Sequence, residues 1–431
     1  MKKFFYLLPF TFYLLPFTCL YSQQLVERVL TVDDSVNLAI SNNQQLLSAR
    51  QDIEIARQRL KEARSIMYPQ LEFNANYSKF KAESPLLISP ILGNTILPQK
   101  IEPLVDNIED YYTAKISLYQ ILWSGAKISA TKKFAETELK SAESDYEVIK
   151  NKTGSSAKKN FYTLLSIQKK VEIYKATIEK ISNRKNESLN PKDRFISEKK
   201  IEKIKSAETK NQKELELAEI DFLDSIGIEL NTIFTIKGEL EHKKAVVDLN
   251  KCIAWALEYR PELKKTQLQE QMDALSVNLS LSGRYPIITL GGNYQLEDRQ
   301  LPFEKRAWNA TINFTLPIFD GFGQFARIKQ KKYQYRKTQI NRASITDSIQ
   351  AEVRKCFVDY EFAVKKFEQK TNEKEQLATT VTDEVLKELT YLEFIEMLET
   401  AMNIQLEYID ALKDVIIAKI NLETSIGKII E

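Results

Sequence analysis

The chain repeats itself once, and few folds accommodate that. At an offset of 217, Ala39-Ile-Ser-Asn-Asn-Gln-Gln-Leu46 falls on Ala256-Leu-Glu-Tyr-Arg-Pro-Glu-Leu263, Tyr68-Pro69 on Tyr285-Pro286 and Asn76-Tyr77 on Asn293-Tyr294, with no gap. Further on, Leu122-Trp-Ser-Gly125 falls on Ile318-Phe-Asp-Gly321 at an offset of 196, and Ser225-Ile-Gly227 on Ser425-Ile-Gly427 at 200. One length difference of about 21 residues, between two strands of each half, explains the drop. A period near 200 is far longer than a solenoid repeat of about 20–45 residues. The spacing predicts two related halves, each reading helix, strand, loop, strand, very long helix, turn, helix. The expected boundaries are a leader at 1–22, a first repeat at 23–227, an inter-repeat segment at 228–249 and a second repeat at 250–431.

The fold class follows from where Gly and Pro are missing. The 431 residues hold eleven Gly and twelve Pro. Neither occurs between Gly323 and Gly427, and only Gly125 and Gly154 lie between Pro103 and Pro191. Helix interiors tolerate both poorly, so these gaps permit helices far beyond the usual 11–12 residues. A helix of about 60 residues runs roughly 90 Å, which suits a rod or a tunnel wall. The expectation is a mainly α chain with a small β part.

Each half carries two stretches of period two. After Pro286, Ile288, Leu290, Gly292, Tyr294 and Leu296 alternate with Thr289, Gly291, Asn293 and Gln295. Trp308, Ala310, Ile312, Phe314 and Leu316 alternate with Asn309, Thr311, Asn313 and Thr315. In the first half, Leu71, Phe73, Ala75 and Tyr77 share a face, as do Tyr112, Ala114, Ile116 and Leu118, with Thr113, Lys115 and Ser117 opposite. The predicted strands span about 69–78, 112–122, 286–296 and 308–318. An ordinary sheet with one face on a core would read the same way. A length of about 9–11 residues also crosses a bilayer at a tilt, and the small hydroxyl and amide faces suit a wet lumen. Four strands cannot close a barrel, and open edges do not survive in lipid. Strands that cross a membrane would therefore need several copies of the chain in one barrel.

Glu393–Gly427 carries two apolar seams side by side. One is Phe394, Met397, Ala401, Ile404, Tyr408, Ala411, Val415, Ala418 and Leu422; the other is Ile395, Leu398, Met402, Ile409, Leu412 and Ile416, interrupted by Gln405. A helix with two seams packs between neighbours on both sides. Single seams at Leu46–Ala63 and Ile349–Phe367 make Cys356 a core residue rather than a nucleophile. Met1–Ser22 reads as an export signal, with Lys2 and Lys3 before an apolar run that repeats Phe-Tyr-Leu-Leu-Pro-Phe-Thr. Cys19 lies in that leader behind Phe17-Thr18, which lack the small residue of a lipidation site. No stretch is long and apolar enough for a spanning helix.

The charges nearly cancel, 62 Lys+Arg against 59 Asp+Glu, so nucleic acid is not an expected partner. Charge-rich Lys199–Lys213 reads as a solvated helix face. One histidine, His242, disfavours histidine-based triads and metal sites, and no phosphate-cradling Gly loop is present. No enzyme activity, cofactor or metal is expected, and Cys252 and Cys356 are too few for a disulfide scaffold.

In order and doubling, these features resemble the TolC-like outer-membrane efflux proteins over essentially the whole mature length. The matching residues are Leu30-Thr-Val-Asp-Asp-Ser-Val-Asn-Leu-Ala-Ile-Ser-Asn-Asn, the strand-boundary motifs Tyr68-Pro69 and Tyr285-Pro286, Gly125, Leu316-Pro317-Ile-Phe-Asp-Gly321, and Leu392 through Leu422 to Gly427. The resemblance implies a homotrimer in the outer membrane of a Gram-negative bacterium. Its twelve-stranded β-barrel, four strands per chain, would continue into a periplasmic α-barrel of long coiled helices, with 228–249 at its equator. It also implies a passive exit duct for tripartite efflux or type I secretion, fed by a periplasmic adaptor and an inner-membrane pump of RND or ABC type. The lumen would be lined by Thr113, Lys115, Ser117, Thr289, Asn293, Asn309, Thr311, Asn313 and Thr315.

By ungapped matching back from Gly427, the family's acidic tip motif falls on Leu392-Glu-Phe-Ile-Glu396, making Glu393 and Glu396 the candidate periplasmic gate. Negative charge in a first helical turn is also favourable in itself, so plain capping charge is the other reading. Lys387-Glu-Leu-Thr390 stands where family members often carry Gly and Arg. Opening is expected as an iris-like shift around Asn186–Pro191 and Thr371–Thr390. The rival from another class is a soluble periplasmic coiled-coil adaptor or scaffold, which would not carry two Tyr-Pro-led strand pairs.

Overall fold

The computed structural model describes residues 28–81, 108–184, 190–242, 247–381 and 388–430. The expected leader, Cys19 and parts of both tip segments lie outside them. The first half runs β1 (Arg28–Leu30), α1 (Val32–Asn42), α2 (Gln44–Ser65), β2 (Gln70–Lys81), β3 (Ile108–Trp123), α3 (Lys127–Asn183) and α4 (Pro191–Ile226). After β4 (Phe234–Ile236), the second half repeats that order as α5 (Leu249–Tyr259), α6 (Pro261–Ser282), β5 (Ile287–Asp298), β6 (Lys305–Thr315), α7 (Gly323–Thr380) and α8 (Tyr391–Ile426).

The two long helices have 57 and 58 residues, roughly 85 Å each. Their boundaries follow local chemistry. Asn190 caps α4 through the N–H of Asp193, with Pro191 at the first helical position. Thr390 caps α8 in a reciprocal box with Glu393. Gly227 and Gly427 end α4 and α8 in the left-handed conformation.

Structure departs from the sequence reading in three places. The single helix expected before each first strand is two, broken at Asn43 and at the equivalent Arg260-Pro261. Asn43 draws its side chain back to the N–H of Leu46 and restarts the helix, while Pro261 has no N–H to continue one. Second, β1 and β4 pair in parallel, Arg28 with Phe234 through Leu30 with Ile236. Three residues are too few to show a period. Third, β3 starts at Ile108, four residues early, and β6 runs 305–315 rather than to 318. Pro317 lacks the N–H that another ladder bond would need.

The core is layered along the helices. Around the middle of the rod, Ala157, Phe161, Leu164, Phe222, Leu223 and Ile226 pack with Leu30 and Ala39. In the second half, Cys252, Ala256, Val353, Tyr360, Leu412, Val415, Leu422 and Ile426 form the matching cluster, with Cys356 against it. α8 packs against both α7 and α3. Residues from both of its seams are buried, Phe394, Ala401, Ala411, Val415 and Leu422 from one, Ile395, Leu398, Met402, Leu412 and Ile416 from the other.

Candidate functional site: an open sheet and a helical tip

The four longer strands form one antiparallel sheet in the order β2-β3-β5-β6. Partners across it form rungs. Phe73 pairs with Ile116, Ile116 with Tyr294, and Tyr294 with Trp308. This rung is bare, its exposure running from 44% at Tyr294 to 77% at Trp308. Leu71, Tyr77, Ile312 and Phe314 extend the exposed apolar face. β2 and β6 have no strand on their outer sides among the described residues.

The opposite face carries the expected polar residues in register. Ser117 pairs with Asn293, and Asn293 with Asn309, whose side-chain oxygen accepts from the Asn293 amide at 3.1 Å. Thr311 lies across from Gly291, and Asn313 across from Thr289. Thr113 pairs with Glu297, Lys115 with Gln295, and Thr315 with Ile287. Several residues of this face escaped the sequence reading: Glu72, Asn74, Asn76, Glu297 and Lys305 share it through the same rungs. Continuing the alternation to both strand ends would have found them.

The strand-boundary motifs lie at the sheet's junction with the helices. Pro69 and Pro286 precede β2 and β5, and Pro317 follows β6. Gly125-Ala126 and Gly321-Phe322 are consecutive left-handed pairs that turn β3 and β6 into α3 and α7 within a few residues. Tyr285 meets Trp123 edge-on, ring centroids 6.3 Å apart.

At the far end of the rod, α8 begins against α3 and α4. Tyr174, Ile181 and Ile204 pack with Phe394, Ile395, Leu398 and Met402. The carboxylate of Glu393 turns back on its own helix start, accepting from the Thr390 hydroxyl at 2.7 Å and the Thr390 N–H at 2.9 Å. These two donors hold its carboxyl below the usual range. Glu396 is half exposed, 3.5 Å from Lys200 of α4. The next carboxylate in the three-residue run, Glu399, is the most enclosed of the three. It accepts from Lys203 at 2.9 Å and Lys200 at 3.1 Å, and both ammonium groups hold its carboxyl down. Arg184, just past α3, donates to the Leu389 carbonyl at 2.5 Å and stacks 4.4 Å over the Phe394 ring. The sequence reading missed both Glu399 and Arg184; the Glu393, Glu396, Glu399 spacing was the available signal for the former.

Among the described residues, no cluster of His, Cys, Asp or Glu could hold a metal ion, and no helix is long and apolar enough to cross a membrane. His242 is enclosed by the rings of Tyr360 and Phe367.

A sequence profile described as "Outer membrane efflux protein" matches residues 35–185 and 253–381, one segment in each half. No curated protein matches the chain. Its fold is similar to that of several solved outer-membrane channels. The open-state MtrE channel of Neisseria gonorrhoeae aligns with a TM-score of 0.75 at 14% identity, covering 92% of this chain and 89% of that one. The CmeC channel of Campylobacter jejuni gives 0.72 at 16% identity, covering 93% and 86%. VceC of Vibrio cholerae gives 0.69 at 15%, covering 93% and 97%.

Proposed function

We infer the working form from one premise: the chain belongs to the outer membrane efflux protein family. It is an outer-membrane exit duct for efflux, in a family of channels rather than enzymes. The soluble adaptor reading is not favoured. The finer proposal is a trimer whose twelve strands close one barrel, continuous with a tube of long helices in the periplasm, fed by an adaptor and an inner-membrane pump. The protein does no chemistry on its cargo; the pump supplies the energy.

The observation that carries this is the open sheet. Its apolar rung is exposed, and among the described residues both outer strands lack partners on their outer sides. In hydrocarbon each unpaired backbone group costs several kcal/mol, so a lone sheet is unstable there. A closed ring removes both edges and turns the bare rung to lipid. The face with Thr113, Lys115, Ser117, Asn293 and Asn313 then lines water. At the periplasmic end the proposed gate is the packing of α8 on α3 and α4. Arg184, Glu396 and Glu399 hold it there, while Glu393 serves its helix cap.

The test is the purified protein in detergent and in a planar bilayer. The expected particle has the mass of three chains and conducts ions. A stable monomer that remains soluble without detergent would overturn the reading.

A further inference from the structure

We propose that a cationic cavity where α3, α6 and α7 meet the sheet binds a phosphate-class oxyanion on the water-facing side of the barrel. The side rests on the barrel reading above; the anion chemistry rests on the cavity alone.

The cavity has a volume of about 340 Å³ and is framed by Lys127 at the start of α3, Ser276 and Ser280 of α6, and Arg327 and Lys331 of α7. No carboxylate lines it. Cavities of similar size elsewhere on the rod each include one, Glu423, Glu258 and Glu172 among them. Arg327 and Lys331 are four residues apart and so share one face of α7. From Gly321 to Thr346 the chain has seven basic residues and no acidic one. Among the described residues, neither Lys127 nor Lys331 makes an ion pair. Arg327 gives one Nη to Asp320 at 2.9 Å and its Nε to Gln324 at 3.1 Å, which leaves the other Nη uncommitted. Like charges gathered around one space repel, and a multiply charged anion among them relieves that repulsion.

The second half shows what the first lacks. At the offset of 196, Ser124 falls on Asp320. Asp320 serves the start of α7, where its carboxylate accepts from the N–H of Gln324 at 2.7 Å and from Arg327. The start of α3 has no such partner. Its flanking residue, Ala126, offers no side-chain cap, and Ser124 carries no charge. Ser124 is 5% exposed and lines the cavity, and its hydroxyl makes no hydrogen bond among the described residues. One space therefore receives the positive end of a 57-residue helix, a buried hydroxyl donor and two ammonium groups without carboxylate partners. That donor set suits phosphate oxygens. A tetrahedral oxyanion accepts from several directions at once, so it reaches donors of α3 and α7 together, which the two oxygens of a carboxylate do less well.

The cavity lies on the sheet's polar face. Ile287 lines it and pairs with Thr315, one of that face's hydroxyls. Trp123 pairs with Ile288, so the alternation puts the next residue, Ser124, on the Ile287 side. In the closed barrel that face meets water. Three chains would set three such cavities, each with three cations, around one level of the duct, where the strands give way to the long helices. A ring of this sign attracts anions in passage and repels cations.

The test is calorimetric titration of the full chain in maltoside detergent at low ionic strength, with inorganic phosphate as the probe. The parent is expected to bind phosphate. Ser124→Asp gives α3 the carboxylate that α7 already has, and is expected to weaken binding about tenfold or more, as loss of one charged hydrogen bond does. Lys127→Gln with Lys331→Gln, both at exposed positions, is expected to do the same with the unfolding midpoint unchanged. No binding to the parent, or equal binding to the parent and both variants, overturns the site. Short-chain phosphatidylglycerol, titrated in the same way, separates a free anion from a lipid headgroup; tighter binding of the lipid than of phosphate overturns the water-facing side. In planar bilayers under a salt gradient, the lysine pair variant is expected to shift the reversal potential toward cation preference, and an unchanged potential overturns the place on the duct. A single-chain particle in detergent overturns the barrel reading and the water-facing side with it, while the phosphate titration still decides the anion site.

Discussion

Replacing Arg184 by Ala removes a link between the end of α3 and the start of α8. Two interactions go with the side chain: the guanidinium donor to the Leu389 carbonyl at 2.5 Å and the stack 4.4 Å over Phe394. A hydrogen bond from a charged donor contributes about 1.5–3 kcal/mol, and an exposed cation–π contact about 0.5–1 kcal/mol. Arg184 is partly exposed, so water replaces some of both, and about 2 kcal/mol per chain remains. At about 1.4 kcal/mol per factor of ten, the packed arrangement of one chain's tip loses roughly 30-fold. If three chains open together, the ratio moves by about 10⁴. Single-channel recording in planar bilayers reads this as open probability, expected to rise steeply in Arg184→Ala and less in Arg184→Lys, which keeps the stack. A variant that folds, assembles and opens no more often than the parent would refute the role of this contact in holding the tip shut.

Acidification should loosen the same tip. Lys203 and Lys200 depress the Glu399 carboxyl, so the links are intact above its ordinary value of 4.5 and are lost as pH falls through the depressed one. Conductance should rise on acidification below about pH 4.5, and Glu399→Gln should flatten that response. Phe161 is fully buried against Phe222, so Phe161→Ala should cost about 3–5 kcal/mol, seen as a lower midpoint in denaturant titration. Gly125→Ala meets both a positive φ and the Tyr285 side chain, whereas Gly321→Ala meets within one chain only the positive φ. Gly125→Ala is therefore expected to lower the midpoint in denaturant titration further than Gly321→Ala does, and equal shifts would count against the Tyr285 contact.

What was legible in the sequence was periodic. The strands alternate over ten residues or more, and the seams of α8 persist for thirty, so each signal is summed over many positions. Elements resting on one or two residues were not legible. The break at Asn43 depends on one side chain turning to the N–H of Leu46, and β1 exists because β4 is beside it. At the tip, the Glu393 and Glu396 spacing puts both on one face, yet their surroundings differ. Glu393 is taken up by its own cap, and Glu396 faces a lysine some 200 residues earlier in the chain. Such a partner follows from tertiary packing and leaves no local pattern.

The lysine–glutamate links at the tip also mark where the halves have grown apart. The first seventeen residues of α8, Tyr391–Glu407, hold four glutamates and no Lys or Arg; the equivalent stretch of α4, 191–207, holds six basic residues and three acidic. Near the barrel the halves are interchangeable enough to share a register, but here they carry opposite sign. A trimer of the kind proposed above would present basic starts of α4 and acidic starts of α8 by turns around this end. Identical partner surfaces docking around it would be held at two unequal strengths.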